Sequence, residues 1–535
     1  MPTTDRTDHS VETSRGGENR SNGPNFLIFI TDQQRADHLG CAGHPVLQTP
    51  SIDAIAARGV RFERSYVACP LCQPARATLF TGLTPRGHGV RTNGIPLSPS
   101  VPTFVEALRQ GGYRTHSVGK LHLRNFWEPR PSGGPPSDLD RMLETRWLWL
   151  EDRMSALPAN YAGLETADFT GGHGPGIFGN YQRWLRDQDP DGPRLLSREA
   201  GEPPPSGAEQ SWTMALPSEL HYNTWIADRS IDFLRREAAA DRPFFLWCSF
   251  PDPHHPFAIP RPWSNLYNPD DEALPNRRPG ELDDLPPHYR QIFDEALQTS
   301  GRRAPTRIRD DQMRDVTAIT HGMISMVDQQ VGRVMSELER LDLRENTVVV
   351  FMSDHGDMLG DHWIINKGPF HFDGLLRVPT IWSWPGHFGE GVVSEALTNQ
   401  LDFAPTVLDL AGVPIPEGIA SDPPEAARQL PAWPGASLGQ LLAGQASKVH
   451  DQLLVENDED YLGLRLRTLI TEDYQITAYP GQPYGELFDR GEDPGQLHNL
   501  WNDQGYQGVK SELLIRLMAE IVRTDNVLPR RTSHA

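Results

Sequence analysis

Residues 25–34 read Asn-Phe-Leu-Ile-Phe-Ile-Thr-Asp-Gln-Gln (NFLIFITDQQ). A short unbroken apolar run without polar alternation is the pattern of a strand buried on both faces. It ends on a carboxylate and two amides. Residues 347–352 (TVVVFM) repeat the pattern and run into Ser353-Asp354-His355-Gly356-Asp357. Between them, helical and strand patterns alternate. Thr49-Pro50 opens a helix with Ile52, Ile55 and Ala56 on one face, ending at Gly59. Pro102–Gln110 reads as helix, Tyr113–Val118 as strand, Asn223–Ala238 as helix, Pro243–Phe250 as strand and Val316–Leu341 as a long helix. Val378–Trp384 (strand) and Asp402–Ala411 (helix) follow. The alternation predicts an α/β fold, a large mixed and mostly parallel sheet sandwiched by helices.

Residues 24–415 hold this alternation and read as the main domain. Residues 126–222, rich in Pro, Gly and Trp (GGPP, GGHGPG, PPP), interrupt it and read as an insertion folded over the sheet, a pocket wall. Residues 1–23 read as a disordered tail, 416–447 as a Pro-rich linker and 524–535 as a second tail. In 448–523, β-rich patches at Leu453–Glu456, Arg465–Ile470, Tyr474–Ala478 and Glu486–Asp489 precede a helix at Val509–Val522. They predict a small C-terminal α+β subdomain with an antiparallel sheet.

The formal net charge of −21 repels phosphate backbones and anionic lipid, which argues against general nucleic-acid or membrane-surface binding. Four cysteines are too few for a disulfide scaffold. No run of about 18 apolar residues exists, and the N-terminus lacks an apolar h-region. Neither a membrane span nor a signal peptide is expected, and the expected location is cytoplasmic.

In open α/β sheets, ligands sit outside the carboxyl ends of the strands. Asp32 and Gln33 follow one predicted strand, Asp354 and His355 another. Together they make a divalent-cation site. The oxygens suit Ca²⁺, Mg²⁺ or Mn²⁺, and the imidazole tilts the set slightly toward Mn²⁺. Taken singly, each pair reads first as an ordinary cap of the following helix. The stretch 70–82, PLCQPARATLFTG, has three readings. Cys69-x-x-Cys72 is a redox pair, or half a zinc site, or Cys72-x-Pro74-x-Arg76 is a unit at a helix start. In the third reading Pro74 sits in the first turn, the helix N-terminus favours negative charge at Cys72, and Arg76 faces an oxyanion.

Cys72-Gln73-Pro74-Ala75-Arg76 with Thr81-Gly82 resembles the signature of the type I, formylglycine-dependent sulfatases of the alkaline phosphatase superfamily. Asp32-Gln33 and Asp354-His355 resemble the family's two metal pairs. Gly119-Lys120-Leu121-His122 resembles its G-K-x-H, and Pro253-His254-His255-Pro256 its P-H-x-P. Lys367 matches a later lysine, and Arg377-Val378-Pro379 the R-V-P after it. The resemblance spans Pro24 to about Asn502. Two departures are Gln73 for a small residue, and Gln33 and His355 for the commoner Asp and Asn.

The resemblance implies a sulfatase hydrolysing a sulfate monoester to alcohol and inorganic sulfate. Cys72 would be oxidised to formylglycine by a formylglycine-generating enzyme. One divalent metal, Ca²⁺ as the first expectation and Mn²⁺ or Mg²⁺ as alternatives, would be held by Asp32, Gln33, Asp354, His355 and residue 72. The hydrated aldehyde would offer a nucleophilic hydroxyl of lowered pKa. Arg76 and Lys120 would hold it, His254 and Lys367 would protonate the departing alcohol, and His122 would take the second hydroxyl's proton. Sulfate is then expelled and the aldehyde regenerated. The implied partners are a small-molecule or sugar sulfate ester and the maturation enzyme; an oligomer is compatible. His255, Asp357 and Asp361 carry no assigned role, and Asn93 reads as a turn residue. The runner-up is a phosphonate monoester hydrolase or phosphodiesterase of the same superfamily. It shares the Asp-Gln and Asp-His pairs, but its G-K-x-H segment gives way to hydroxyl-bearing residues. A non-catalytic binding protein on this fold is a second alternative.

Overall fold

The computed structural model describes residues 23–130, 139–295, 298–299, 302–303, 308–415, 433–460 and 462–525. The expected N-terminal tail apart from Gly23, residues 416–432 of the expected linker and residues 526–535 of the expected C-terminal tail lie outside them.

The main sheet is built from β1 (Asn25–Thr31), β2 (Val60–Phe62), β3 (Arg114–Lys120), β4 (Thr166–Gly171), β5 (Phe178–Gly179), β6 (Phe244–Ser249), β7 (Thr347–Ser353), β8 (Thr380–Ser383) and β9 (Val392–Ser394). Their spatial order is β9-β2-β8-β7-β1-β6-β3-β4-β5. The central run β7-β1-β6-β3-β4 is parallel; β8 joins β7, β2 joins β8 and β5 joins β4 antiparallel. The mixed, mostly parallel sheet expected from sequence is therefore present.

β1 lies near the centre, and its side chains divide between the two faces. Phe26, Ile28 and Ile30 pack with Leu79 and Phe80 of α2 (Cys72–Thr81) on one face. Leu27 and Phe29 pack on the other with Ile226 and Phe233 of α4 (Tyr222–Glu237) and Val327, Val331 and Val334 of α5 (Asp310–Arg340). The remaining sheet helices are α1 (Pro50–Ala57), α3 (Phe104–Gln110) and α6 (Phe403–Ala411). Each such fully buried side chain contributes roughly 1.5–3 kcal/mol, so the unbroken apolar run holds both helical layers at once. Among the described residues, no helix is long and apolar enough to cross a membrane.

Two boundaries and the placement of the insertion differ from the sequence expectation for physical reasons. β3 continues past Val118 to Lys120, because Gly119 adopts φ +100° and a Cβ there would meet Ser249 O at 2.0 Å. A glycine reads as a breaker in sequence, but here it permits close strand pairing. α5 begins at Asp310, six residues before the apolar periodicity, because acidic residues favour a helix N-terminus. Within 126–222, β4 and β5 extend the main sheet itself rather than only covering it.

The linker expectation needs correcting over its described part. Trp433 is 2% exposed and donates from Nε1 to Thr81 O at 3.2 Å, and Leu438, Leu441 and Leu442, around α7 (Gly439–Leu442), are buried in the same core. Proline content pointed to a spacer, but these four apolar side chains are enough to dock it. Gly82, at φ +67°, has no room for a Cβ against the Trp433 ring.

The C-terminal strands β10 (Gln452–Glu459), β11 (Leu464–Thr471), β12 (Tyr474–Ala478) and β13 (Gly485–Asp489) form an antiparallel sheet in sequence order. α8 (Gln507–Arg523) covers one face through Leu513 and Leu517. The other face meets Tyr66, Leu376 and Val378 of the main domain. Glu486 of β13 is fully buried, and burial pushes its carboxyl up to about 7, although a hydrogen bond from Tyr479 lowers it. A carboxyl raised in the folded state favours folding while protonated, so this contribution is lost as pH rises from about 4.5 to about 7. Glu486→Gln should flatten that fall. Melting temperatures of wild type and variant, compared across pH 4–8, should converge at low pH and favour the variant at pH 8. Parallel curves would contradict the assignment.

Candidate active site

The strand register builds the site. Thr31 pairs with Ser353 across β1 and β7, so Asp32 and Asp354 emerge side by side at the carboxyl edge. Gly119 pairs with Ser249 across β3 and β6, which brings Lys120 and the 250–256 turn to the same edge. α2 starts beneath them with Cys72 as its first residue. Asn93 Oδ1 accepts from Gln73 N at 3.0 Å, taking up one of the N–H groups that a helix start leaves unpaired. The Gln73 amide donates to Ile95 O and Asn125 Oδ1, so this departure from the family pattern tethers the neighbouring loop.

Ligand atoms of Asp32, Cys72, Asp354 and His355 all lie within 4.8 Å of one another, and all four residues are buried. Cys72 Sγ is 3.1 Å from His355 Nε2 and 3.6 Å from Asp32 Oδ1. Lys367 Nζ donates to Cys72 Sγ at 2.7 Å, to Gln33 Oε1 at 3.0 Å and to His254 Nε2 at 2.9 Å. Lys120 Nζ is paired with Asp32 Oδ2. Arg76 donates from Nε to Asp354 Oδ2 at 2.7 Å and from Nη1 to Lys120 O and Ser249 Oγ; its Nη2 has no hydrogen-bond partner among the described residues. His122 adjoins this group, its ring stacked on Phe126 at 3.9 Å.

The electrostatics follow from packing several cations against two carboxylates. Burial pushes the Asp32 carboxyl up, but Lys120, Lys367 and Arg76 hold it well below the usual range. Burial and Asp32 push the Cys72 thiol up, yet Lys120, Lys367 and His355 outweigh them and lower it. Burial dominates at the other cysteines and raises all three, helped at Cys41 by Asp53; Cys41 and Cys248 reach about 12. Cys69 is fully buried and, like all four cysteines, is free. Burial, His173 and Lys367 hold His254 well below its ordinary value, and burial, Lys120 and Arg76 do the same to His122.

The edge thus gathers every residue singled out from sequence: Asp32, Gln33, Cys72, Arg76, Lys120, His122, His254, Asp354, His355 and Lys367. Four supporting residues had no role assigned from the sequence. The Gln33 amide donates to Asp357 Oδ2 at 2.5 Å and lies 3.1 Å from His255 Nδ1, so its oxygen is turned toward Lys367. Glu144, inside 126–222, accepts from the backbone N–H groups of His122, Leu123 and Arg124, which holds His122 at φ +60°. His173, from the same segment, lies 2.9 Å from Lys120 Nζ. The only sequence signal for it was one imidazole set between glycines, which reads equally as a loop.

A second histidine group, His38, His44 and His321, also brings its nitrogens within 4.8 Å. His44 Nδ1 accepts from the N–H groups of Val46 and Leu47, so its Nε2 carries the proton and is not a free ligand. Burial lowers both His38 and His44, and His321 Nδ1 faces Glu272 Oε1 at 2.8 Å.

The comparisons agree with this geometry. The family profile described as Sulfatase matches residues 24–413, and the profile N-sulphoglucosamine sulphohydrolase, C-terminal, matches 360–523. An uncharacterized sulfatase of Escherichia coli (strain K12) is 29% identical over 502 residues, 92% of this chain and 85% of its own length. An arylsulfatase of Clostridium perfringens (strain 13 / Type A) is 27% identical over 90% of this chain and 91% of its own. The solved phosphonate monoester hydrolase of Agrobacterium radiobacter is 27% identical, covers 94% of this chain and 96% of its own, and superposes with a TM-score of 0.75. The chain belongs to the sulfatase family of the alkaline phosphatase superfamily and is a sulfuric ester hydrolase.

Proposed function

We propose that the chain hydrolyses a sulfate monoester of a small molecule or sugar, with residue 72 acting in its formylglycine form. One observation carries the reading. A helix-start cysteine of lowered pKa lies among two carboxylates, an imidazole and two lysine ammonium groups at the sheet edge. Two carboxylates, an imidazole and an amide oxygen fit one divalent cation, held by Asp32, Gln33, Asp354 and His355 with residue 72. When bound, the cation supplies Lewis acidity toward the nucleophilic hydroxyl and the sulfuryl oxygens. The aldehyde hydrate supplies that hydroxyl and a route back to aldehyde when sulfate leaves.

The chain's own residues do the rest. Arg76, fixed by Asp354, Ser249 and the Lys120 carbonyl, sets its guanidinium charge beside residue 72, with Nη2 4.0 Å from Asp32 Oδ2. Lys120 and Lys367 place fixed positive charge beside the sulfuryl group, where low dielectric makes it effective. Lys367 Nζ and His254 Nε2 share a proton to pass to the departing alcohol. His122 is held neutral by burial and the nearby cations, and takes a proton from residue 72. Residues 126–222 shape the substrate side, since they supply Glu144 and His173.

The second reading is a phosphonate monoester hydrolase or phosphodiesterase, favoured by Gln33 with His355 and by the 27% identical phosphonate monoester hydrolase. Lys120 and His122 speak for sulfate. A kcat/KM panel of an aryl sulfate, sugar sulfates, a phosphodiester and a phosphonate monoester decides between the two. Sulfate esters should lead, and Lys120→Ala should lower kcat for them by about 10²-fold, the scale of losing one preorganised charge. A wild-type preference for phosphonate monoesters over every sulfate tested would establish the second reading instead.

A further inference from the structure

The two site lysines share one arrangement. Lys367 Nζ lies 2.9 Å from His254 Nε2, and Lys120 Nζ lies 2.9 Å from His173 Nε2. The two imidazoles are stacked on each other, ring centroids 3.5 Å apart and planes within 4°. His173 Nε2 is also 3.6 Å from Asp32 Oδ2. The ring is delivered from just beyond β4 by a turn in which Gly172 and Gly174 take φ +77° and +47°, and it is 8% exposed. Buried histidines elsewhere contrast with it: His88 and His371 contact threonine hydroxyls in the packed interior, away from the lysines.

We propose that His173 is a positioning residue of the active site, fixing the plane of the His254 ring by stacking and the direction of the Lys120 ammonium by accepting from it. The inference rests on the sulfate-ester reading and adds a residue outside every recognised motif. Through His254 it governs proton delivery to the leaving group; through Lys120 it governs charge at the sulfuryl group. A misplacement of about 1 Å in such groups costs on the order of 10²-fold in rate.

The test uses the full metal-loaded chain, with formylglycine content at residue 72 measured by mass spectrometry for every variant. kcat is read for 4-nitrophenyl sulfate and for phenyl sulfate, whose leaving group depends more on protonation. His173→Ala should lower kcat for phenyl sulfate by about 10²-fold and for 4-nitrophenyl sulfate by less. His173→Phe keeps a ring against His254 and should return the ratio of the two rates toward wild type while both rates stay low. His173→Gln keeps an acceptor for Lys120 and should raise both rates above those of the alanine variant with the ratio still altered. Unchanged rates in variants with wild-type melting and metal content would overturn the inference. Equal losses on both esters in all three variants would also overturn it, as the mark of a structural role alone. A wild type inactive on both esters would remove the sulfate-ester reading beneath it, before any variant is compared.

Discussion

Cys72→Ala should lower turnover by about 10⁴-fold or more while leaving the fold near wild type, the scale of deleting a covalent nucleophile. The side chain is buried at the start of α2, where Lys367 Nζ, His355 Nε2 and Asp32 Oδ1 converge on Sγ, and alanine fits the same space. Cys69→Ala should keep most of the activity, because burial raises that thiol and places it in the core. The matching chemical test is the mass of the peptide carrying residue 72. After co-expression with a formylglycine-generating enzyme it should be lighter by about 18 Da than the cysteine form. A fully active enzyme whose peptide carries only the thiol would show that residue 72 works by another route.

The second large effect is expected at Asp354. Its Oδ2 accepts from Arg76 Nε at 2.7 Å with neither side chain exposed, and its Oδ1 accepts from the N–H groups of Gln33 and His355. Asp354→Ala removes a metal ligand and strands a buried guanidinium. Breaking such a buried pair costs about 3–5 kcal/mol. The variant should lose bound metal by elemental analysis, lose turnover and unfold at lower denaturant. Asp354→Asn keeps an acceptor for Arg76, so it should recover part of the stability while remaining poor in metal and activity. A stable, metal-replete and active Asp354→Ala would rule out both roles.

Much of this site was legible because its chemistry sits at strand ends and in short local patterns. The apolar runs 25–31 and 347–352 identified two adjacent central strands, and the polar residues just after them fall where open α/β sheets bind ligands. Cys72-x-Pro74-x-Arg76 encodes its own helix start, so its chemistry is local. Glu144 and His173 lacked such a signal, and His255 and Asp357, although inside such patterns, have roles that exist only across chain separations. Asp357 meets Gln33 over 324 positions, and His173 meets Lys120 over 53.

The sequence by itself therefore determined the α/β class and the central strands, and set the candidate site residues at strand ends and a helix start, because burial on two faces and helix starts are written in neighbouring positions. Only the tertiary structure decided how those residues are aimed. The β1–β7 register sets Asp32 beside Asp354, and Gly119 lets Lys120 reach Asp32. The segment 126–222 folds back to stack His173 on His254, and Trp433 docks a stretch that reads as a linker. The physical reason is common to all four. Close packing and pairing of buried charges depend on distances between elements, and no local pattern of residue types records those distances.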